Sequence, residues 1–331
     1  MVNKVTNLIM AMKRILLFFI IAVSVMFISC PMGYDVPELK HCRTYTASKG
    51  GFGQLISPMG IVSRRVPDSI YASVFVADCS NDRVVLMDTR NDSVVSTIGN
   101  TGGESGEFNR PVNLTVTQSI LEPGYDLPQN MYLYVADSKN HRIQKFNLDG
   151  DFILEWGSFG TDNGQFNTPI GIDMDFEGNI FVVDSGNHRI QVFDTLGNYL
   201  NSWGSRGSGI GEFINPIDVV VGFKSVTSSR FSFVAVSDYG NNRVQLFDRS
   251  GQFIKTYNNI PDVLGLCTVH YAPHNGYWIV AISSSAKKLY ILGLTDFREK
   301  NIFEIGSPYD VSYYSITDTV NNRILNYCWS N

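Results

Sequence analysis

The chain has 331 residues, 17% of them charged and 44% hydrophobic, with a formal net charge of −5. That balance belongs to a folded globular protein and excludes a disordered one. The acidic excess, with basic residues gathered no further than pairs such as Lys287-Lys288, excludes a partner held through its phosphate backbone, so no nucleic-acid partner is expected.

Residues 1–30 read as a targeting segment. Lys13 and Arg14 precede an apolar run from Ile15 to Ser29, which ends at Cys30. The run is shorter than the ~20 residues that span a bilayer and has the layout of a secretory h-region. Phe27-Ile28-Ser29-Cys30 resembles the bacterial lipobox, with Phe27 in place of the usual Leu. That resemblance implies lipidation of Cys30 and a lipid-anchored membrane protein of the bacterial cell envelope; a plain signal peptide or short anchor is the alternative. Either Met1 or Met12 serves as the start. Residues 31–40 form a short tether. Cys42, Cys79, Cys267 and Cys328 remain for an exported, disulfide-permissive environment, enough for one staple.

Residues 41–331 repeat. An acid sits five residues before a base in Asp78/Arg83, Asp137/Arg142, Asp184/Arg189, Asp238/Arg243 and Asp318/Arg323, and Ser283/Lys288 takes the same place. A catalytic pair is needed once, so a recurring pair is structural. Successive copies lie 35 to 59 residues apart, the range of solenoids and propellers. Each unit gives a Gly-x-Phe turn and Pro (GQFNTP), an alternating strand (IGIDMD) and a strand ending in Asp (NIFVVD). A Gly/Asn turn, a third strand (RIQVF) and a fourth (NYLNSWG) follow. Antiparallel hairpins result, and four strands repeated radially make a propeller blade. The last unit lacks its fourth strand and HCRTYTAS, at 41–48, supplies an orphan one. The expected fold is therefore all-β: a six-bladed β-propeller of four-stranded antiparallel blades, closed by an N-terminal strand that completes the last blade. That register brings Cys42 and Cys328 near each other and predicts a disulfide between them.

The units resemble NHL repeats, with Asn140-His141-Arg142 and Asn187-His188-Arg189 at the spot that names the family. The resemblance covers about residues 41–331 and is strongest in blades two to four. It implies a six-bladed propeller that serves as a binding platform, as most members do, with a few lyases among them. The histidines belong to the repeat and are expected as turn residues, the Asp as a hydrogen-bond acceptor in the turn, and the Arg as a bridge between strands or blades.

One face carries the loops into the first strands. They match in length before blades two, three and four (Gly99 to Pro111, Gly157 to Pro169, Gly204 to Pro216) and collapse before blades five and six. A groove over blades five and six is the expected binding site. Insertions at 63–73, 117–131 and 222–232 vary the other face. Around the axis, the second position of each first strand reads Gly60, Asn113, Gly171, Asp218, Gly265, Asp310, with Asp173 deeper on the lining. Glycines leaving room for waters and oxygens at Asn113, Asp218 and Asp310 suit either a hydrated channel or a hard cation, most plausibly Ca²⁺.

No nucleophile elbow, zincin motif or phosphate loop stands outside the repeat. The leading reading is a non-catalytic, lipid-anchored binding or scaffold propeller that recognises a protein, peptide or glycan. The rival is a Ca-dependent hydrolase, lactonase- or esterase-like, using a cation in the channel. An amidating lyase needs metal-binding histidines at the axis, and His41, His270 and His274 do not fall there.

Overall fold

A computed structural model describes residues 39–45, 55–64, 73–88, 93–117, 131–223, 232–271, 276–286, 288–292, 297–301, 308–312, 315–318 and 323–329. Cys30 lies outside them, as does most of each insertion expected at 63–73, 117–131 and 222–232. Every long element is a strand. After β1 (Leu39–Tyr45), the first sheet is β2 (Pro58–Arg64), β3 (Ser73–Asp78), β4 (Arg83–Asp88) and β5 (Ser93–Ile98). The second is β6 (Pro111–Val116), β7 (Tyr132–Asp137), β8 (Arg142–Asn147) and β9 (Phe152–Trp156). The third is β10 (Pro169–Met174), β11 (Ile180–Asp184), β12 (Arg189–Phe193) and β13 (Tyr199–Trp203). The fourth is β14 (Pro216–Phe223), β15 (Ser232–Asp238), β16 (Arg243–Phe247) and β17 (Phe253–Asn258). The fifth is β18 (Val263–Tyr271), β19 (Gly276–Ser283), β20 (Lys288–Leu292) and β21 (Phe297–Asn301). In each, sequential strands are spatial neighbours and antiparallel. β22 (Pro308–Ser312), β23 (Ser315–Asp318) and β24 (Arg323–Trp329) follow, and β1 pairs with β24.

The core lies between sheets rather than within any one. Phe75, Ala77 and Leu86 of the first sheet meet Leu114, Leu133 and Phe146 of the second. Tyr134 and Ile143 of the second meet Ile172, Val182 and Phe193 of the third. The pattern continues from third to fourth and from fourth to fifth. The two-residue period of each strand aims alternate residues at opposite neighbours, so a central strand such as β11 is buried on both faces. Fully burying each such aliphatic or aromatic side chain stabilises by roughly 1.5–3 kcal/mol.

Aromatic residues fasten the seams. Trp156 ends β9 and packs on Phe193 of the next sheet at 5.8 Å between ring centroids; Trp203 does the same to Phe247 at 5.8 Å. Each indole lies over a turn glycine of that next sheet, where a Cβ on Gly197 would sit 2.8 Å from Trp156 and one on Gly251 2.7 Å from Trp203. A polar residue interrupts one seam. Lys145 occupies the column held elsewhere by Leu86, Val192 and Leu246, buried, with Nζ donating to the Thr195 carbonyl at 3.0 Å and lying 4.0 Å from the Tyr132 ring centroid.

Candidate functional site

The five acid–base pairs of the repeat and Ser283/Lys288 are direct cross-strand partners: Asp78 with Arg83, Asp137 with Arg142, Asp184 with Arg189, Asp238 with Arg243, Ser283 with Lys288 and Asp318 with Arg323. In the first four the Arg Nε meets the Asp Oδ2 at 2.7, 2.9, 2.8 and 2.7 Å. Each of these carboxylates is wholly buried and fully bonded. Asp137 accepts from the Asn109 amide at 2.8 Å through Oδ1, and from Asn140, Arg142 and Gln144 through Oδ2. These bonds offset part of the cost of burying the charge, and burial still holds the Asp137 carboxyl above its usual range.

The pair also shapes a loop. Arg142 donates to the carbonyls of Gly103, Glu104 and Glu107, Asn140 to that of Gly102, and Gln144 both donates to Glu107 and accepts from Gly106. The loop that leads into β6 is thus held by side chains of β8 and the turn before it. Asn187, Arg189 and Gln191 hold the loop before β10 in the same way, and Asn241, Arg243 and Gln245 the loop before β14. The working motif is Asp-x-x-Asn-x-Arg-x-Gln. Sequence reading gave roles to its Asp and Arg, named Asn140 and Asn187 only as positions that mark the family, and missed the Gln, although Asn and Gln recur at fixed offsets in sheets two to four; Val85 replaces the Gln in the first. In the fifth sheet Ser283 donates to the Pro261 carbonyl and accepts from the Ala286 amide.

His141 and His188 are turn residues, as expected, in the left-handed region at φ 55° and 56°. They do more. His141 Nδ1 accepts from the Thr168 amide at 3.1 Å and His188 Nδ1 from the Asn215 amide at 3.1 Å, each bond crossing to the entry of the next sheet. Asp82 takes the Arg110 amide and Asn242 the Asp262 amide from the same column. The requirement is a side-chain acceptor on a left-handed residue, and Asp, His and Asn all meet it. Partial burial and the Arg206 charge hold the His188 imidazole below its usual pKa, which keeps that acceptor neutral.

These bonds place the turns and the inter-sheet loops on one face. Loops 99–110, 157–168 and 204–215 each have twelve residues, whereas 259–262 has four. Phe108, Phe166 and Phe213 root the long loops, fully buried against Phe146, Phe193 and Phe247. Above those roots Phe159 and Ile210 stand 68% exposed each, on neighbouring loops. Phe159 lies 4.9 Å from the His141 ring, and Thr101, its counterpart one loop earlier, bonds Asp82. The face offers two apolar side chains on rigid supports beside a low sill.

At the axis the structure brings Asn113 and Asp218 together, Asn113 Nδ2 donating to Asp218 Oδ1 at 3.1 Å. Asp218 also accepts the Val219 amide at 2.9 Å and, across the seam, the Leu266 amide at 2.7 Å. The Asp310 side chain lies outside the described side chains, and its strand β22 runs over Pro308–Ser312. Among the described residues no three His, Cys, Asp or Glu side chains are grouped as a metal site. The glycines correct one expectation. A Cβ on Gly60 would sit 2.6 Å from Asn113 Cα, and one on Gly171 2.7 Å from Asp218 Cα, so they admit a neighbouring strand rather than water. Asp173, expected deeper on the lining, accepts from Thr115, from the Met174 amide and from the Val221 amide of the next sheet.

Three comparisons bear on this architecture. The NHL repeat family model matches residues 166–193. No curated protein sequence matches the chain. Among solved structures, a streptogramin B lyase covers 89% of this chain and 87% of its own at 14% identity and a TM-score of 0.58. A catalytically inactive virginiamycin B lyase from Staphylococcus aureus with quinupristin covers 87% and 84% at 13% identity and TM-score 0.56. A chain of a nidogen/laminin complex covers 77% and 84% at 14% identity and TM-score 0.54. At such identities likeness speaks for fold alone. The chain carries an NHL repeat within an all-β fold of the β-propeller kind.

Proposed function

We propose that this chain is a six-bladed propeller closed by β1, anchored to the bacterial cell envelope through lipidated Cys30, and that it binds a protein, peptide or glycan without turnover. Closure is supported by the pairing of β1 with β24, and by contacts of β22 with both β18 and β2. The binding reading rests above all on the loop face. Four buried Asp residues and their Arg partners fix the turn face, and in sheets two to four they hold long loops that lift Phe159 and Ile210 into solvent, with the short loop 259–262 next in the ring. Rigid apolar anchors beside a low sill suit a binding surface, since little entropy is lost when they engage.

The hydrolase alternative needs free oxygens at Asn113, Asp218 and Asp310. Both carboxylate oxygens of Asp218 are already engaged by backbone amides, which favours the binding reading. Peptide and glycan arrays probed with the processed full chain should yield a ligand. Phe159→Ser with Ile210→Ser should weaken its capture at least about tenfold, or about 1.4 kcal/mol, while Leu196→Ser on the opposite hairpin leaves it unchanged. Turnover of a lactone, an ester or quinupristin, with no array ligand, would overturn the reading.

A further inference from the structure

We propose that the face carrying the hairpins between third and fourth strands is turned to a lipid surface, and that the loop face, with Phe159 and Ile210, points away from it. This orientation rests on the reading of Cys30 as the lipidated residue and gives that anchor a direction. In the first four sheets the Asp–Arg pairs close the turns between second and third strands and so mark the loop face. The last sheet repeats the register, with Pro308 opposite Asp318 and Asp318 opposite Arg323, and β22 lies beside β18 and β2. β24 therefore leaves the loop face at Arg323 and reaches the hairpin face at Trp329. β1 runs antiparallel to it, with Leu39 opposite Trp329 and Tyr45 opposite Ile324. The chain enters β1 at the hairpin face. Fully extended, the stretch from Cys30 to Leu39 reaches about 30 Å. β1 has seven residues and covers roughly 20 Å from face to face. A molecule docked by its loop face would need the tether to double back along the outer wall, using up most of that reach and much of its conformational freedom. Docking by the hairpin face needs neither.

The hairpin face also has apolar side chains to offer. Leu196, at the tip of the β12–β13 hairpin, is 66% exposed, where the neighbouring hairpins carry Asp149 and Ser250. Val95, Leu200 and Ile254 are about half exposed, and each fills the irregularity near the hairpin end of an outer strand, as Ile153 does in β9. A bulge residue is left out of the ladder, so these aliphatic side chains have no partner across the sheet. The hairpin acids decide which lipid fits. Asp194 accepts from the Leu196 and Asn198 amides and Asp248 from those of Ser250 and Gln252, which holds both carboxyls below their usual range and keeps them charged. With Asp149 they repel an anionic surface, so the fitting surface is one of neutral lipid. The acyl chains supply the affinity, and the hairpin side chains set which way the molecule faces.

The test uses the processed full chain, made with labelled fatty acid and reconstituted into phosphatidylcholine vesicles whose headgroups carry a nitroxide quencher. A fluorescent amino acid replaces Leu196 in one preparation and Ile210 in another, both of them exposed positions. The probe at 196 should lose most of its emission to the quencher, and the probe at 210 should keep its own. Should the variant at 196 fail to fold, the exposed Ser250 at the tip of the next hairpin takes the probe instead. Fatty-acid label in the protein with the probe at 210 quenched as strongly as the one at 196, or with neither quenched, overturns the orientation and leaves the anchor standing. A chain that takes up no fatty acid removes the anchor, and the orientation with it.

Discussion

A histidine in a repeat invites a chemical role, yet His188 works as a base only toward an amide. Its Nδ1 accepts the Asn215 N–H while Nε2 carries the proton, and protonation would remove the acceptor. The lowered pKa means the clasp is complete above the unfolded pKa and is lost as pH falls through the folded value. His188→Asn, which copies Asn242, should therefore retain neutral-pH stability and lose that acid-side slope in a melt-versus-pH series. His188→Leu should cost about 1 kcal/mol at neutral pH, the worth of one such bond. The residue type at this column hid its purpose from sequence reading. Asp82, His141, His188 and Asn242 share no charge or size, only an acceptor and tolerance of positive φ. The Asp and Arg columns, being nearly invariant within the chain, were legible at once.

At the scale of strands, glycine separates close approach from free space. A methyl added at Gly171 would stand 2.7 Å from both the Asp218 Cα and the Ile217 carbonyl oxygen, backbone atoms that cannot yield. Gly171→Ala should destabilise by about 1–3 kcal/mol through overpacking, measured by chemical denaturation. Gly103, in the loop before β6, has nothing within 4 Å of such a methyl, and Gly103→Ala should be neutral or stabilise by up to about 1 kcal/mol. Sequence reading placed these glycines on inner strands that converge at the axis but also gave them room for waters. Periodicity reports which way a position points, not how near the next sheet lies. The closing strand shows the same limit. β1 and β24 pair with Lys40 opposite Cys328 and Cys42 in the irregularity between His41 and Arg43. A Cys42–Cys328 bridge must cross that irregularity. If it forms, denatured unreduced protein will show only the two thiols of Cys79 and Cys267 in the described fold; titration of all the cysteines beyond Cys30 rules it out.

For the whole molecule, the strand count per unit, the turn positions and the seams were readable because each unit states them again. What the repeat does not restate is harder to read: Lys145 in a column that is apolar in the neighbouring sheets, and the bonds that Asp173 and Asp218 make to the amides of the next sheets. The proposed anchor belongs to this scale as well, since it would decide where the loop face can meet a ligand. Expressed in a bacterium that processes lipoproteins, the chain should incorporate labelled fatty acid, and Cys30→Ser should abolish incorporation and release the protein from membranes. One acyl chain holds only marginally, whereas several hold firmly, so the released fraction measures the anchor itself. Label that survives Cys30→Ser would remove the anchor from the reading.

The loop before β6 is bound by Arg142 and Gln144 of β8, and the Asn109 amide in it by Asp137 of β7. The portion of chain that carries its own bonding partners therefore begins at the loop, near Gly99, and not at the first strand. Grafts and circular permutants cut just ahead of such a loop should keep a working module intact. Cuts between loop and first strand would part each arginine from the carbonyls it holds. Duplication during the growth of such a ring would have met the same grammar, in which the punctuation mark comes before the word.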